Sequence, residues 1–146
     1  MLSYCQAGDK PLLVSAGDRI DVEVNSHVRA LMLALEEQGV PGIEEMIPAY
    51  STLLILYNPM TISAMALQTT VAGIDTVVLS IKPEGRRVVE IPTLYGGENG
   101  PDLVYVSGHT GLSEEDVIQI HSGTEYLVYM LGFSPGFAYL GGLPAT

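Results

Sequence analysis

The apolar positions in the first half of the chain follow two different periods. Between residues 18 and 39 they recur every three or four positions, which predicts an amphipathic helix that Gly39 ends. A second segment of this kind, 60–72, follows Asn58 and Pro59, which suit an N-cap and a first helical position. The apolar face of the first helix consists of Val24, Val28, Leu31, Met32 and Leu35.

Short apolar runs before, between and after these helices predict four strands. They are residues 10–15, 43–50, 51–57 and 76–82. The run from Leu53 to Tyr57 has no polar alternation, so we expect this strand to be buried on both faces. The resulting order, β-α-β-β-α-β, is that of a ferredoxin-like or split βαβ domain.

The pattern changes at the Pro-Glu-Gly sequence of residues 83–85, which predicts a boundary between domains 1–83 and 84–146. Beyond this boundary, residues 87–91 and 125–131 have the apolar and β-branched composition of short strands.

The sequence carries a net charge of −11 at pH 7, with six Lys and Arg among 146 residues. Such a surface repels phosphate backbones and anionic lipids, so we expect neither nucleic-acid binding nor a role at a membrane surface. The most apolar window, 61–81, has Asp75 near its centre, where a charge costs about 2.5–3.5 kcal/mol in a membrane. A helix followed by a strand explains this window better than a membrane span.

Cys5 is the single cysteine, which excludes a disulfide within the chain and a zinc site built from thiols. The first residues lack the basic start and the long apolar core of a signal peptide. Both observations fit a reducing cytoplasm, which is the localisation we expect. No two of the three histidines have the spacing of metal ligands, so we expect no metal site from this chain alone.

A glycine-rich acidic loop, residues 95–102, is the first candidate for chemistry. The amides of Gly96, Gly97 and Gly100 suit an anion nest, and Glu98 and Asp102 suit a general base or a Mg²⁺ ion held with phosphates. The loop lacks the lysine and the Ser/Thr of a P-loop, which excludes a Walker-type site. The alternative is a solvated acidic turn without a chemical role.

A short helix is the second candidate. Ser113 and the three acidic residues after it indicate its capped start, and His121 lies in its last turn, just before Gly123. The helix macrodipole favours a protonated histidine at that end. The position of His121 therefore has a structural explanation as well as a catalytic one.

The third candidate is the segment 132–144, GFSPGFAYLGGLP, which interleaves glycine and proline with Phe133, Phe137 and Tyr139. Aromatic residues in such a loop line a pocket or anchor a partner, or else pack into the core of a tight turn. Ser134 lacks the G-x-S-x-G context of a nucleophile elbow, so a serine hydrolase is a poor candidate.

Together these segments resemble a family that contains the B subunit of ATP-dependent 5-oxoprolinase, the histidine-kinase inhibitor KipI, and parts of allophanate hydrolase and urea carboxylase. In that family a YGGExGPDL segment, a helix ending in Leu/Ile-His and a GFxPGFxYLxGL loop occur in this order. Here they are residues 95–103, 120–121 and 132–143. Residues 40–59 are similar to the family's segment around PxYxSLxVxYDP, although Asn58 replaces the usual aspartate.

The resemblance implies an α+β chain in which the N-terminal ferredoxin-like domain is followed by a cyclophilin-like β-barrel. Family members continue well beyond the segment that corresponds to residues 132–144, so we expect an incomplete barrel here and no catalysis by this chain alone. Open barrel edges tend to pair, which makes a strand-swapped homo-oligomer an expected partner arrangement.

The resemblance also implies a function. The chain resembles the B subunit that acts with a C subunit and an A subunit to open 5-oxoproline to L-glutamate, the work of a hydrolase acting on a cyclic amide. ATP with Mg²⁺ is expected in the complex, and no cofactor in this chain alone. The alternatives are a KipI-like inhibitor, whose partner is a histidine kinase, and a part of an allophanate hydrolase or urea carboxylase.

Site residues are carried over only where this sequence matches the family's motifs. The catalytic residues implied in this way are Glu98, Asp102 and His121. The substrate-binding residues are Gly96, Gly97, Phe133, Pro135, Gly136, Phe137 and Tyr139.

Overall fold

The structure, a computed structural model, describes residues 2–78 and 87–141. These residues group into two units, one formed by 2–78 with 128–141 and the other by 87–127. The mixture of helices with antiparallel strands confirms the α+β class. The first unit begins with β1 (Ser3–Gln6), β2 (Pro11–Ser15), α1 (Val22–Gln38), β3 (Ile43–Pro48), β4 (Thr52–Tyr57) and α2 (Ala64–Val78).

The strands of the first unit form one antiparallel sheet in the order β1-β2-β4-β3. Helix α1 connects β2 to β3, and β4 lies between these two strands, which is the split βαβ connection that the sequence predicts. The predicted strands at 10–15, 43–50 and 51–57 are therefore confirmed. The edge position beside β2 is occupied by β1, which the sequence pattern did not predict.

The core lies between one face of this sheet and the two helices. In β4, Leu53, Ile55 and Tyr57 are buried, whereas Leu54 and Leu56 are only half-buried. The prediction that this strand is buried on both faces is therefore wrong, because among the described residues the helices cover a single face. The buried cluster comprises Leu12, Val14, Val28, Leu31, Leu35, Leu53, Ile55, Tyr57, Leu67, Val71, Ile74 and Val78.

Helix α1 is delimited by side-chain and backbone caps. The carboxylate of Asp21 accepts hydrogen bonds from the amides of Glu23 at 2.8 Å and Val24 at 3.2 Å. At the other end Gly39 adopts the left-handed conformation, with φ 57° and ψ 48°, which confirms the predicted end of the helix.

The start of α2 differs from the prediction. Asn58 Oδ1 accepts from the amide of Met60 at 3.0 Å and closes a turn that precedes the helix. The helix itself begins at Ala64, where Ser63 Oγ accepts from the amide of Ala66 at 3.2 Å. Ser63 is therefore the capping residue, and Asn58 is not.

The end of α2 also differs. Residues 76–78 belong to the helix, so the prediction that a strand begins at residue 76 is wrong; residues 79–82 lie outside the described residues. Ile74 and Val78 are four positions apart and both buried, so they continue the apolar face of the helix beyond Val71. This packing outweighs the strand preference of the β-branched residues at 76–78.

The second unit contains α3 (Leu103–Thr110) and α4 (Glu114–Ser122), preceded by a 3₁₀ turn at Gly97–Asn99. Ser113 caps α4 as predicted, since its Oγ accepts from the amide of Asp116 at 3.1 Å. The predicted strand at 87–91 is wrong: these residues have no regular structure and lie exposed. No neighbouring strand is present in the described part of this unit to bond their backbone.

Two further strands, β5 (Leu127–Leu131) and β6 (Ala138–Gly141), pair with each other in a two-stranded sheet. The predicted strand at 125–131 is thereby confirmed. Residues 128–141 group with the first unit. The β-barrel and the domain boundary at residue 84 stay predictions. Within the described ranges, every helix is too short or too polar to cross a membrane.

Candidate functional site

The glycine-rich loop forms a tight turn that requires glycine at specific positions. Gly96 adopts φ 75° and ψ −177°, and Gly97 adopts φ 56°. The amide of Gly100 donates to the carbonyl of Gly96 at 3.1 Å, and a Cβ on Gly100 would lie 2.7 Å from the Gly96 nitrogen. The Gly100 amide is therefore used within the turn, which limits the predicted anion nest to Gly96 and Gly97.

Both predicted carboxylates lie near this turn and are exposed. Glu98 lies within the 3₁₀ turn, and Asp102 immediately precedes α3. The side chain of Asp102 makes no capping hydrogen bond to α3, although an aspartate at this position commonly does. The carboxylate of Asp102 therefore does not cap the start of the helix. A chemical role for Glu98 and Asp102 stays a prediction.

His121 is held between two tyrosine rings. Its Nδ1 lies 2.6 Å from the hydroxyl oxygen of Tyr95, and the two rings meet edge to face with centroids 5.7 Å apart. On another side, the ring of Tyr126 lies 5.6 Å from the imidazole centroid. The histidine remains exposed. Neither tyrosine was predicted as a site residue from the sequence, although Tyr95 directly precedes the paired glycines.

The aromatic loop, residues 132–137, connects β5 to β6 through a dense set of backbone hydrogen bonds. The amide of Gly132 donates to the Phe137 carbonyl at 3.1 Å, and the amide of Phe137 donates to the Ser134 carbonyl at 3.0 Å. Phe133 adopts φ 59°, the only positive φ at a non-glycine residue in the part of the chain that the structure describes. Its side chain is 92% exposed, so it is not packed into a core. Pro135 and Gly136 are exposed in the same loop.

The aromatic rings of this loop form a series with Tyr139 of β6 and with tyrosines further inside the same unit. Phe133 contacts Phe137 at a centroid distance of 5.8 Å, and Phe137 contacts Tyr139 at 5.2 Å. Tyr139 in turn meets Tyr50 edge to face at 6.2 Å, and Tyr50 lies 5.2 Å from Tyr129, which is 7% exposed. The rings thus form a series from an exposed tip to a buried base.

Hydrogen bonds secure the base of this series. The hydroxyl of Tyr50 donates to the Leu140 carbonyl at 3.1 Å. The side-chain amide of Asn25, in α1, donates to the carbonyls of Ala49 at 3.1 Å and Tyr50 at 3.2 Å. Asn25 was not predicted from the sequence either; the available signal was a polar residue next to the apolar face of the first helix.

The predicted residues fall into two sets. Gly96, Gly97, Glu98, Asp102 and His121 belong to unit 87–127. The other set belongs to the first unit and comprises Phe133, Pro135, Gly136, Phe137 and Tyr139. Across the described ranges, His, Cys, Asp and Glu side chains do not cluster in groups of three that could hold a metal ion.

Comparison with protein families identifies the class of this protein. Residues 2–146 match the family described as carboxyltransferase domain, subdomain C and D, and the chain belongs to this family. The resemblance inferred from the sequence motifs is confirmed.

Two curated relatives are each named as the B subunit of 5-oxoprolinase. The one from Bacillus subtilis is 39% identical over 148 residues, covering 94% of this chain and 62% of the relative. The one from Escherichia coli O157:H7 is 40% identical over 124 residues, covering 84% of this chain and 56% of the relative. The chain thus spans about three fifths of the length of these relatives.

Solved structures share the fold. The protein TTHA0988 superposes with a TM-score of 0.75 at 36% identity, covering 90% of this chain and 25% of that chain. The urea amidolyase of K. lactis superposes with a TM-score of 0.66 at 18% identity, covering 95% of this chain and 10% of that chain. At that identity the second comparison concerns the fold alone.

Proposed function

We propose that this chain acts as the B subunit of an ATP-dependent 5-oxoprolinase and works with a C subunit to activate 5-oxoproline for ring opening to L-glutamate. The observation that carries the proposal is the 39% identity to the B. subtilis relative over 94% of this chain. Because the chain spans only part of that relative, the partners, the substrate and the reaction are all part of the proposal.

The chemistry of a lactam explains which residues the reaction needs. The ring amide resists attack by water, so its carbonyl oxygen must be polarised and the attacking water must lose a proton. We assign polarisation to the amides of Gly96 and Gly97 together with His121. We assign the proton transfer to Glu98, with Asp102 as the second exposed carboxylate beside the same turn.

ATP fits these residues poorly. Besides nests of backbone amides, phosphate sites usually include Lys or Arg side chains, whereas the predicted second domain, residues 84–146, contains only two, Arg86 and Arg87. The site described here would therefore bind and orient the cyclic amide, and we assign the nucleotide with its Mg²⁺ to other parts of the complex.

The aromatic loop has a separate role in this proposal. Phe133 and Phe137 of this loop, together with Tyr139 of β6, form an apolar surface next to the backbone of Pro135 and Gly136, and in this proposal that surface supplies apolar contacts within its own unit. Such a loop contributes binding and water exclusion, but no proton transfer.

The test is a reconstituted assay. The protein is mixed with candidate A and C subunits, 5-oxoproline and ATP, and L-glutamate is measured. We expect glutamate to form, and E98Q to lower kcat by about 100-fold or more, as for the loss of a general base. E90Q, which removes another exposed carboxylate of the same unit, serves as the matched control. Failure of the unmodified complex to form glutamate contradicts the proposal.

A second candidate function is a KipI-like inhibitor of a histidine kinase. The observation that favours it is the 92% exposure of Phe133 at the tip of an ordered loop, since an exposed aromatic residue suits a protein-binding surface. The test is capture of the purified dimerisation domain of a histidine kinase by the chain, with F133S as the comparison. Capture that F133S abolishes supports this candidate, and absence of capture rejects it.

A further inference from the structure

The contact between Tyr95 and His121 fixes more than the position of the histidine ring. The phenol oxygen and Nδ1 are 2.6 Å apart, which is a short hydrogen bond. A phenol O–H is a good donor and an unprotonated imidazole nitrogen a good acceptor, whereas the phenol oxygen shares its lone pair with the ring and accepts poorly. The favoured arrangement therefore has Tyr95 donating to Nδ1.

This hydrogen bond determines which nitrogen of the neutral imidazole carries the proton. When Nδ1 accepts from Tyr95, the proton must be on Nε2. Within residues 87–127, Nε2 of His121 has no hydrogen-bond partner, and the residue is exposed. Nε2–H is therefore free to donate to an oxygen atom of a ligand.

We propose that Tyr95 is a positioning residue that holds neutral His121 in its Nε2–H tautomer, so that His121 offers a hydrogen-bond donor to a carbonyl or carboxylate oxygen of the ligand. In this tautomer Nε2 cannot accept a proton, so His121 does not act as a general base through that nitrogen. The identity of the ligand as a cyclic amide with a carboxylate rests on the proposed function; the tautomer does not.

The surrounding backbone explains why Tyr95 stays in place. The next residue, Gly96, begins the turn that the Gly100 amide closes, and this turn tolerates no side chain at Gly100. The His121 ring is also packed against Tyr126, and the amide of Gly123 closes the end of its helix onto the Gln119 carbonyl at 2.9 Å. Tyr95 is thus held by the glycine turn that follows it, and His121 by the last turn of α4.

The test is ¹⁵N NMR of the histidine side chains in the chain on its own, at about pH 8.5, well above the usual histidine pKa of ~6.5. The protonated and unprotonated ring nitrogens have well-separated chemical shifts, so the tautomer is read directly. We expect His121 to be mainly the Nε2–H form. We expect Y95F to lower the ratio of Nε2–H to Nδ1–H by about fivefold, the worth of one ordinary hydrogen bond.

Y126F is the matched control, because it removes a phenol hydroxyl beside the same imidazole but leaves the ring contact, and it should leave the ratio unchanged. His109, which stacks on Tyr105, is the internal reference. An Nδ1–H form in the unmodified chain, or an unchanged ratio in Y95F, overturns the proposal. If Y95F fails to fold, the tautomer ratio of His121 in the unmodified chain is compared with that of His109, and equal ratios overturn the proposal. Because no substrate, nucleotide or partner is present, this outcome is independent of the glutamate assay.

Discussion

The side-chain amide of Asn25 donates a hydrogen bond to the backbone carbonyl of Tyr129, 104 residues further along the chain, at 3.4 Å. The same nitrogen reaches the carbonyls of Ala49 and Tyr50, and Asn25 is 4% exposed. One buried side chain thus links α1 to the turn between β3 and β4 and to β5. Within the first unit, the strand that leads into the aromatic loop is therefore hydrogen-bonded to α1 through this side chain, beside the ring contact of Tyr129 with Tyr50.

Replacing Asn25 with alanine should remove this attachment. The part-buried carbonyls of Ala49 and Tyr50 and the buried carbonyl of Tyr129 would lose a donor, so we expect N25A to lower the free energy of unfolding by about 1–3 kcal/mol. Urea denaturation followed by tyrosine fluorescence measures this change. Q38A, at an exposed amide of the same helix, should change it by less than about 0.5 kcal/mol. Equal effects of the two variants would contradict the role of Asn25.

Phe133 combines an exposed side chain with a left-handed backbone, which costs a non-glycine residue about 1–2 kcal/mol. F133G and F133A remove the same ring, so their difference isolates the backbone strain. We expect F133G to be more stable than F133A by about 1 kcal/mol in thermal or urea unfolding.

At Phe137, which has no positive φ, the order should reverse, because glycine loses more conformational entropy than alanine on folding. F137A should therefore be more stable than F137G. The same order at both positions would show that Phe133 stores no strain. A strained exposed aromatic residue is typical of a functional site, which is why both candidate functions use this loop.

The spacing of apolar residues predicted the helices and strands whose formation depends mainly on their own sequence. The spacing of Val28, Leu31 and Leu35 predicted α1, and the apolar run at 53–57 predicted β4. The strand at 87–91 was wrong because a strand needs a neighbouring strand, and composition does not show whether one is present. Residues 76–78 were misassigned because their strand propensity is local, whereas the burial of Val78 depends on packing.

The candidate site shows the same division. The motifs located His121, the glycine turn and the aromatic loop, but none of the motifs indicated their contacts. Tyr95 and His121 are 26 residues apart, and Asn25 and Tyr129 are 104 apart. Such contacts arise from how elements pack, and a hydroxyl or amide donor has no periodic signature in a single sequence.

A polar contact between a histidine and an aspartate links the two helices of the first unit. His27 Nε2 contacts Asp75 Oδ1, and the two side chains are 17% and 16% exposed. Burial, and next the charge of Asp75, raise the pKa of the Tyr4 hydroxyl, so that Asp75 also acts on the edge strand. A double-mutant cycle with H27Q and D75N should give a coupling energy of about 0.5–3 kcal/mol, because water screens this pair poorly.

The pair Lys10–Glu44 is the matched control for this cycle. Its N–O distance is 3.3 Å, but its side chains are 58% and 44% exposed. A cycle with K10Q and E44Q should give less than about 1 kcal/mol, as exposed pairs usually do. Urea denaturation of the single and double variants measures both couplings. A coupling for His27–Asp75 no larger than for the exposed pair would contradict the prediction.

Asp21 should make stability depend on pH at the acidic end. Hydrogen bonds from the backbone amides of Val24 and then Glu23 lower the pKa of Asp21 below its usual value. The stabilisation by Asp21 is therefore fully present above the unfolded-state pKa of about 3.9 and is lost as the pH falls through the lower folded-state pKa. D21S keeps a capping oxygen without a titrating group.

We expect the stability difference between the unmodified chain and D21S to shrink as the pH falls through that window. Thermal unfolding at a series of pH values measures it. D18S, which removes an exposed carboxylate just before the helix, should leave the acid dependence unchanged. If the stability difference between the unmodified chain and D21S stays constant with pH, the capping hydrogen bonds do not stabilise the ionised form of Asp21 over the protonated form.

Gly100 is expected to be essential for the geometry around His121. Its added Cβ would lie 2.7 Å from the backbone nitrogen of Gly96, and a backbone atom cannot rotate away as a flexible side chain can. We expect G100A to destabilise the turn by about 1–3 kcal/mol, as overpacking does, and to separate the Tyr95 hydroxyl from His121 Nδ1. Loss of the Nε2–H preference of His121 in ¹⁵N NMR then accompanies the loss of stability.

The matched variant is G108A, within α3, where an added Cβ meets nothing within 4 Å. Alanine is favoured over glycine inside a helix by about 0.5–1 kcal/mol, so G108A should raise the free energy of unfolding and leave the His121 tautomer unchanged. If G100A behaved like G108A, the turn would tolerate a side chain and would not determine the position of Tyr95. The same glycine-to-alanine substitution is therefore expected to lower the free energy of unfolding at Gly100 and to raise it at Gly108, because only Gly100 lacks space for a Cβ.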